Sequence, residues 1–111
     1  MNYHNKRFRV VELSANADTT EETIFTYKQN GNIVTSEYKG GNIVKGHLIG
    51  LVDNDGSIDM RYHQVNLKGE LMTGICHSTP KLNENGKIRL HEQWKWTSGD
   101  RSSGNSILEE L

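Results

Sequence analysis

Five times in this chain a glycine closing a polar turn is followed two residues later by an aliphatic side chain: Gly31-Asn32-Ile33, Gly41-Asn42-Ile43, Gly56-Ser57-Ile58, Gly69-Glu70-Leu71 and Gly86-Lys87-Ile88. Glycine takes the positive φ of tight hairpin turns at no steric cost, and strand side chains alternate faces with period 2, so each triplet marks a chain leaving a hairpin. Turn signals at Asn30-Gly31, Gly40-Gly41, Asp53-Asn54-Asp55-Gly56, Lys68-Gly69, Asn83-Glu84-Asn85-Gly86 and Ser98-Gly99-Asp100 divide the sequence into eight strands, near residues 6–13, 22–29, 32–38, 42–52, 57–67, 70–79, 87–97 and 105–110. No segment has sustained helical periodicity. The stretch from Ser14 to Glu22 holds helix-capping residue types but no apolar stripe, and is expected as a loop. Pro80, which has no backbone donor, is expected between the sixth and seventh strands.

A chain of 111 residues with no linker is one domain, residues 1–111, with one core. Strands joined in sequence order, with no helix to cover a sheet face, are expected to close into a barrel, because closure removes exposed sheet edges. The expected fold is all-β: a single eight-stranded antiparallel meander closed into a small barrel of the calycin/lipocalin-like or allene-oxide-cyclase-like kind. A two-sheet sandwich uses the same alternation and stays open as an alternative.

Thirteen basic and fourteen acidic residues give a net charge of −1, and no basic run exceeds Lys6-Arg7, so the electrostatic footprint of nucleic-acid binding is missing. No apolar stretch has the length of a secretory signal or a membrane-spanning helix. With a single cysteine, Cys76, this favours a reducing, cytoplasmic setting. Histidines 4, 47, 63, 77 and 91 lie on separate segments without metal-ligand spacing, so neither a metal nor another cofactor is expected. No nucleophile motif and no glycine-rich loop opening a helix is present.

If the aliphatic after each turn glycine faces the core, every second residue after it does too. In the seventh strand this selects Ile88, Leu90, Glu92, Trp94 and Trp96, and in the fifth Ile58, Met60, Tyr62 and Gln64. In the sixth it selects Leu71, Thr73, Ile75 and His77, leaving Cys76 outside, and in the fourth Ile43, Lys45, His47, Ile49 and Leu51. Lys45 fits that last set badly, and a bulge at Gly46 or Gly50 would shift its parity. The resulting lumen set is Tyr62, Gln64, His77, Glu92 and Trp94, with His47 added if the fourth strand keeps its parity. His77 is expected opposite or diagonal to Glu92. Glu92 reads either as half of that pair or as a core carboxylate bonded to Tyr62, Trp94 or backbone amides.

The run Gly46-His47-Leu48-Ile49-Gly50-Leu51-Val52, with Ile58-Asp59-Met60-Arg61-Tyr62-His63, Gly69-Glu70-Leu71-Met72-Thr73-Gly74 and residues Gly86 to Asp100, resembles the small bacterial proteins of this length that carry the label N-acetylglutamate synthase. That resemblance implies acetyl-CoA-dependent transfer to glutamate and brings no residue roles with it.

Three functional readings follow. The leading one is a barrel holding a small or amphipathic molecule in a partly polar lumen. The second is an enzyme, either the labelled acyltransferase or an isomerase or cyclase using Glu92 and His77 as acid and base. The third is a packed barrel whose outer faces, around Arg61 and Arg89, build a homo-oligomer.

Overall fold

The computed structural model describes residues 2–17 and 19–111. Its strands are β1 (Arg7–Leu13), β2 (Ile24–Asn30), β3 (Ile33–Gly40), β4 (Ile43–Val52), β5 (Ile58–Asn66), β6 (Leu71–Leu82), β7 (Ile88–Trp96) and β8 (Ser103–Glu110). Each pairs antiparallel with its sequence neighbours, and β1 pairs with β8, so the meander closes into a barrel. Closure leaves no free edge, which decides against the sandwich. Residues 14–17 and 19–23 form the expected loop, while Asp18 lies outside the described residues.

Three of the turns share one chemistry. Asp53 Oδ1 accepts from the backbone N–H groups of Asp55 and Ser57 at 3.1 and 3.0 Å, Asn66 Oδ1 from Lys68 and Glu70 at 3.0 Å each, and Asn83 Oδ1 from Asn85 and Lys87 at 2.9 and 3.0 Å. In each, the glycine three residues on donates back to the carbonyl of the Asx residue. A side-chain oxygen thus replaces the partners that a five-residue hairpin loop leaves missing.

Strand β6 runs past Pro80 to Leu82, farther than expected. Its pairing with β5 stops at Ser78 while its pairing with β7 continues to Leu82, so Pro80 sits where the strand has a partner on one side only.

The parity rule holds for β5 and β7, where Ile58, Met60, Gln64 and Ile88, Leu90, Glu92, Trp94 and Trp96 are buried. It fails for β6: Leu71 is 68% and Ile75 37% exposed, and the inward residues are instead Gly74, Cys76 and Ser78. The turn before β6 explains this. Inward Asn66 is itself the first residue of that turn and pairs across it with Glu70, so Leu71 lies opposite outward Val65. In β4 a bulge at Val44, between Ile43 and Lys45, flips the parity two residues earlier than Gly46. Ile43 is buried, and Lys45, His47, Ile49 and Leu51 then face outward.

The barrel's two ends are built differently. At the end holding the β2–β3, β4–β5 and β6–β7 turns, Tyr3 inserts beside Phe8 and Tyr27, with ring centroids 5.1 to 6.4 Å apart. Tyr3 Oη donates to the Gly56 carbonyl at 2.5 Å, its N–H donates to Gln29 Oε1 at 2.8 Å, and Asn5 N–H donates to the Tyr27 carbonyl at 2.8 Å. This end is sealed. At the opposite end residues 14–17 reach toward the β7–β8 turn, where Asn16 Nδ2 donates to Ser102 Oγ and to the Ser103 carbonyl at 3.0 and 3.1 Å.

Candidate functional site

Inside this second end lies a cavity of about 50 Å³. Its wall is largely aromatic, formed by Phe25, Tyr38, Tyr62, Trp94 and Trp96, with Leu48, Met60 and Leu108 completing the apolar surface. Its polar lining is Gln64, Cys76, Glu92 and Ser106, and Ala17 and Thr19 stand at the mouth.

Glycines on the inner face make room for these rings. Register places Tyr38 opposite Gly46, Tyr62 opposite Gly74 and Trp94 opposite Gly104. A methyl group at Gly46 or Gly74 would fall 2.3 Å from the ring of Tyr38 or Tyr62, and one at Gly104 would fall 2.3 Å from Ser14 Oγ and 2.5 Å from Trp94. Each ring therefore lies across the neighbouring strand where that strand has no side chain, and the rings meet one another. The centroids of Phe25 and Tyr38 are 4.5 Å apart, those of Tyr62 and Trp96 5.6 Å, and those of Trp94 and Trp96 5.9 Å.

Glu92 is the polar centre. On β7 it lies in register with Ser78 of β6 and Ser106 of β8. Ser78 Oγ donates to Oε2 at 2.7 Å, and Ser106 Oγ donates to Oε1 at 3.2 Å. Burial raises the Glu92 carboxyl to about 7, with the two hydroxyl donors pulling the other way. Tyr38 Oη donates to Gln64 Oε1 at 2.9 Å, and burial pushes its phenol up, with Tyr62, Glu92 and Cys76 adding to the shift. The Cys76 thiol is pushed well up by burial and then by Glu92, which favours its protonated form. Fully buried Tyr27 is raised by burial first and by Glu92 next, and its Oη has no hydrogen-bond partner among the described residues.

Of the residues expected in the lumen, Tyr62, Gln64, Glu92 and Trp94 come together there. His77 and His47 do not. His77 faces outward, opposite Asp59 and Gln93, so Ser78 rather than His77 meets Glu92, and the acid and base pair of the enzymatic reading is not formed. His47 faces outward beside His63, ring centroids 5.4 Å apart. Cys76, expected outside, lines the cavity. Phe25, Tyr38, Ser106 and Trp96 were not in the expected set. Counting register across each turn from its first residue, rather than from its glycine, exposes Cys76 and Ser78, and the inward glycines point to the rings that cover them.

An up-and-down barrel of eight strands with a lined lumen at one end is a calycin-type architecture. A family model for avidin-like proteins matches residues 1–111, and the chain belongs to that family. This corrects the resemblance to proteins labelled N-acetylglutamate synthase, since the match over the whole chain is to a barrel family and not to a synthase. No match is found among curated proteins or among solved structures. Among the described residues no helix is long and apolar enough to cross a membrane, and no group of three or more His, Cys, Asp or Glu residues could hold a metal ion.

Proposed function

We propose that the protein binds a small molecule in the lumen, entering at the end where Ala17 and Thr19 line the cavity. The carrying observation is the asymmetry of the barrel. One end is filled by Tyr3, Phe8 and Tyr27, while the other keeps a cavity whose aromatic wall converges on a few polar groups, the usual make-up of a ligand site. Membership of the avidin-like family, whose proteins bind small ligands such as biotin, supports the same reading. Tyr62, Gln64, Glu92 and Trp94 are the expected contacts, with Tyr38 and Trp96 beside them. The cavity takes only a few non-hydrogen atoms, so the buried part of the ligand is a slender head group and the remainder extends through the mouth.

The test is native mass spectrometry of gently purified protein, followed by titration with biotin and a panel of small amphipathic molecules. Wild type is compared with Met60→Trp, which fills the lumen. Binding by wild type that is lost in Met60→Trp supports the reading. Binding that survives the filled lumen, or no binding at all, overturns it.

A second reading concerns the outside of the barrel. Ile33, Leu51, Ile49 and Ile75 are exposed on the outward faces of β3, β4 and β6, and register puts Ile33 opposite Leu51. Such a patch suits a second copy of the chain, and oligomers are frequent among avidin-like proteins. Sedimentation of wild type against Ile49→Lys tests this: a smaller species in the variant supports self-association through this face, and a monomeric wild type removes it.

A further inference from the structure

Among the described residues, the cavity is lined by one carboxylate and by no lysine, arginine or histidine. Ser78 and Ser106 both donate to that carboxylate, which spreads its negative charge without neutralising it. Removed from water, an ionised carboxylate is costly unless a counter-charge accompanies it. The described residues supply none in the lumen. They supply instead several aromatic rings, whose faces attract cations through their quadrupoles.

We infer that the ligand is an organic cation, a protonated amine or quaternary ammonium on a slender apolar body, whose head pairs with Glu92 among the rings of Phe25, Tyr38, Trp94 and Trp96. This rests on the lumen reading above and names its ligand class. A carboxylate or phosphate head would meet Glu92 with no basic group to offset the repulsion. A neutral alcohol could hydrogen-bond to Glu92 but would leave its charge uncompensated. A cation satisfies both, and the two serine donors already hold the carboxylate in a form ready to ionise.

Binding should therefore follow the ionisation of Glu92. The other titratable groups facing the interior are Tyr3 in the N-terminal segment, Tyr27 on β2, Tyr38 on β3, Tyr62 on β5 and Cys76 on β6, of which Tyr3, Tyr27, Tyr38 and Cys76 are pushed upward by burial. Strands β1 and β4 present Phe8, Val10 and Leu48, and β8 adds Glu110 at the far rim, paired with Lys6 at 3.3 Å. Glu92 is thus the lining group whose charge changes as pH rises from 5 to 8, while an alkylamine stays protonated throughout.

The experiment is a ligand-observed NMR titration of n-butylamine against n-butanol, and of benzylamine against benzyl alcohol, at pH 5 and pH 8, with biotin run alongside. At pH 8 wild type should bind each amine at least about tenfold more tightly than its alcohol. That preference should shrink at pH 5 and vanish in Glu92→Gln. The pH arm uses wild type alone, so it stands even if the variant folds poorly. Equal binding of amines and alcohols at pH 8, or a preference that persists in folded Glu92→Gln, overturns the cation assignment and leaves the lumen reading intact. If no amine, alcohol or biotin binds wild type, both fall together.

Discussion

Both ends of the barrel gather aromatic residues, three at the sealed end and five at the mouth, and put them to opposite use. At the sealed end Tyr3, Phe8 and Tyr27 pack ring against ring, and backbone hydrogen bonds from the N-terminal segment hold Tyr3 in place. At the mouth Tyr38, Tyr62 and Trp94 each span a glycine on the next strand, so the rings form a wall around a cavity instead of a plug. Aromatic content alone therefore does not tell a core from a site. Rings meet rings at both ends, and what separates the ends is what else the rings cover: backbone at one, and at the other glycines without side chains around a cavity that holds a buried carboxylate.

The widest separation between the ends should appear in truncations. Phe8→Ala leaves a void in a filled region and should cost about 3–5 kcal/mol in chemical denaturation. Phe25→Ala borders space that already exists and should cost about 2–3 kcal/mol, with ligand affinity falling more than stability. Equal costs at both positions would mean that the mouth is packed as tightly as the plug.

The next effect is electrostatic and belongs to the mouth alone. The Glu92 carboxyl is raised in the fold above its ordinary value, so the folded state holds its proton more tightly than the unfolded chain does. The associated stability is fully present below about pH 4.5 and is lost as pH rises through about 7, a decline of up to ~3 kcal/mol. Glu92→Gln should flatten this part of the stability profile in urea melts between pH 5 and 8. A wild type that gains stability over that range would contradict the buried environment assigned to Glu92. A bound amine should reverse the slope, since it favours the ionised carboxylate.

Much of this architecture was legible in the sequence, and the errors have two physical origins, the phase of one turn and a bulge in β4. The turn residues named eight strands in order, and β5 and β7 followed the glycine rule because their turns begin on the outward face, at Asp53 and Asn83. The third turn of the same chemistry begins at inward Asn66, and the inversion carried His77 out of the lumen and Cys76 into it. The two copies of Gly-Asn-Ile-Val show the same point. Ile33 is 44% exposed with Val34 buried, yet Ile43 is buried with Val44 exposed. A register shift between Tyr38 and Gly40 separates the copies, so local sequence alone does not assign the face. Burial of Glu92 was readable from alternation within β7, whereas its partners were not, since Ser78 and Ser106 reach it only through the registers of two further strands.

Gly74→Ala probes the mouth at smaller cost. Its new methyl would overlap the Tyr62 ring, and because Tyr62 is only half buried the ring can swing outward, so the penalty should be about 1–3 kcal/mol in urea melts. Pairing it with Tyr62→Leu should recover most of that loss, a coupling that a backbone effect at Gly74 would not produce.

The smallest contrast lies in the turns, where identical chemistry serves both ends. Asn83→Ala removes the acceptor for Asn85 and Lys87 at the sealed end, and because that turn is exposed, water can replace it; the loss should be about 1 kcal/mol. Asn66 at the mouth makes the same two contacts, donates to Glu70 at 3.0 Å and is itself buried, so water replaces it less readily. Asn66→Ala should therefore cost more than Asn83→Ala, and it should also loosen the register that turns Cys76 and Ser78 inward. Hydrogen exchange along β6 reads this directly: faster exchange at Gly74 and Cys76 in Asn66→Ala, but not in Asn83→Ala, is the expected pattern. Equal exchange in both variants would show that the β6 register is set by its pairing with β7 rather than by the turn that precedes it.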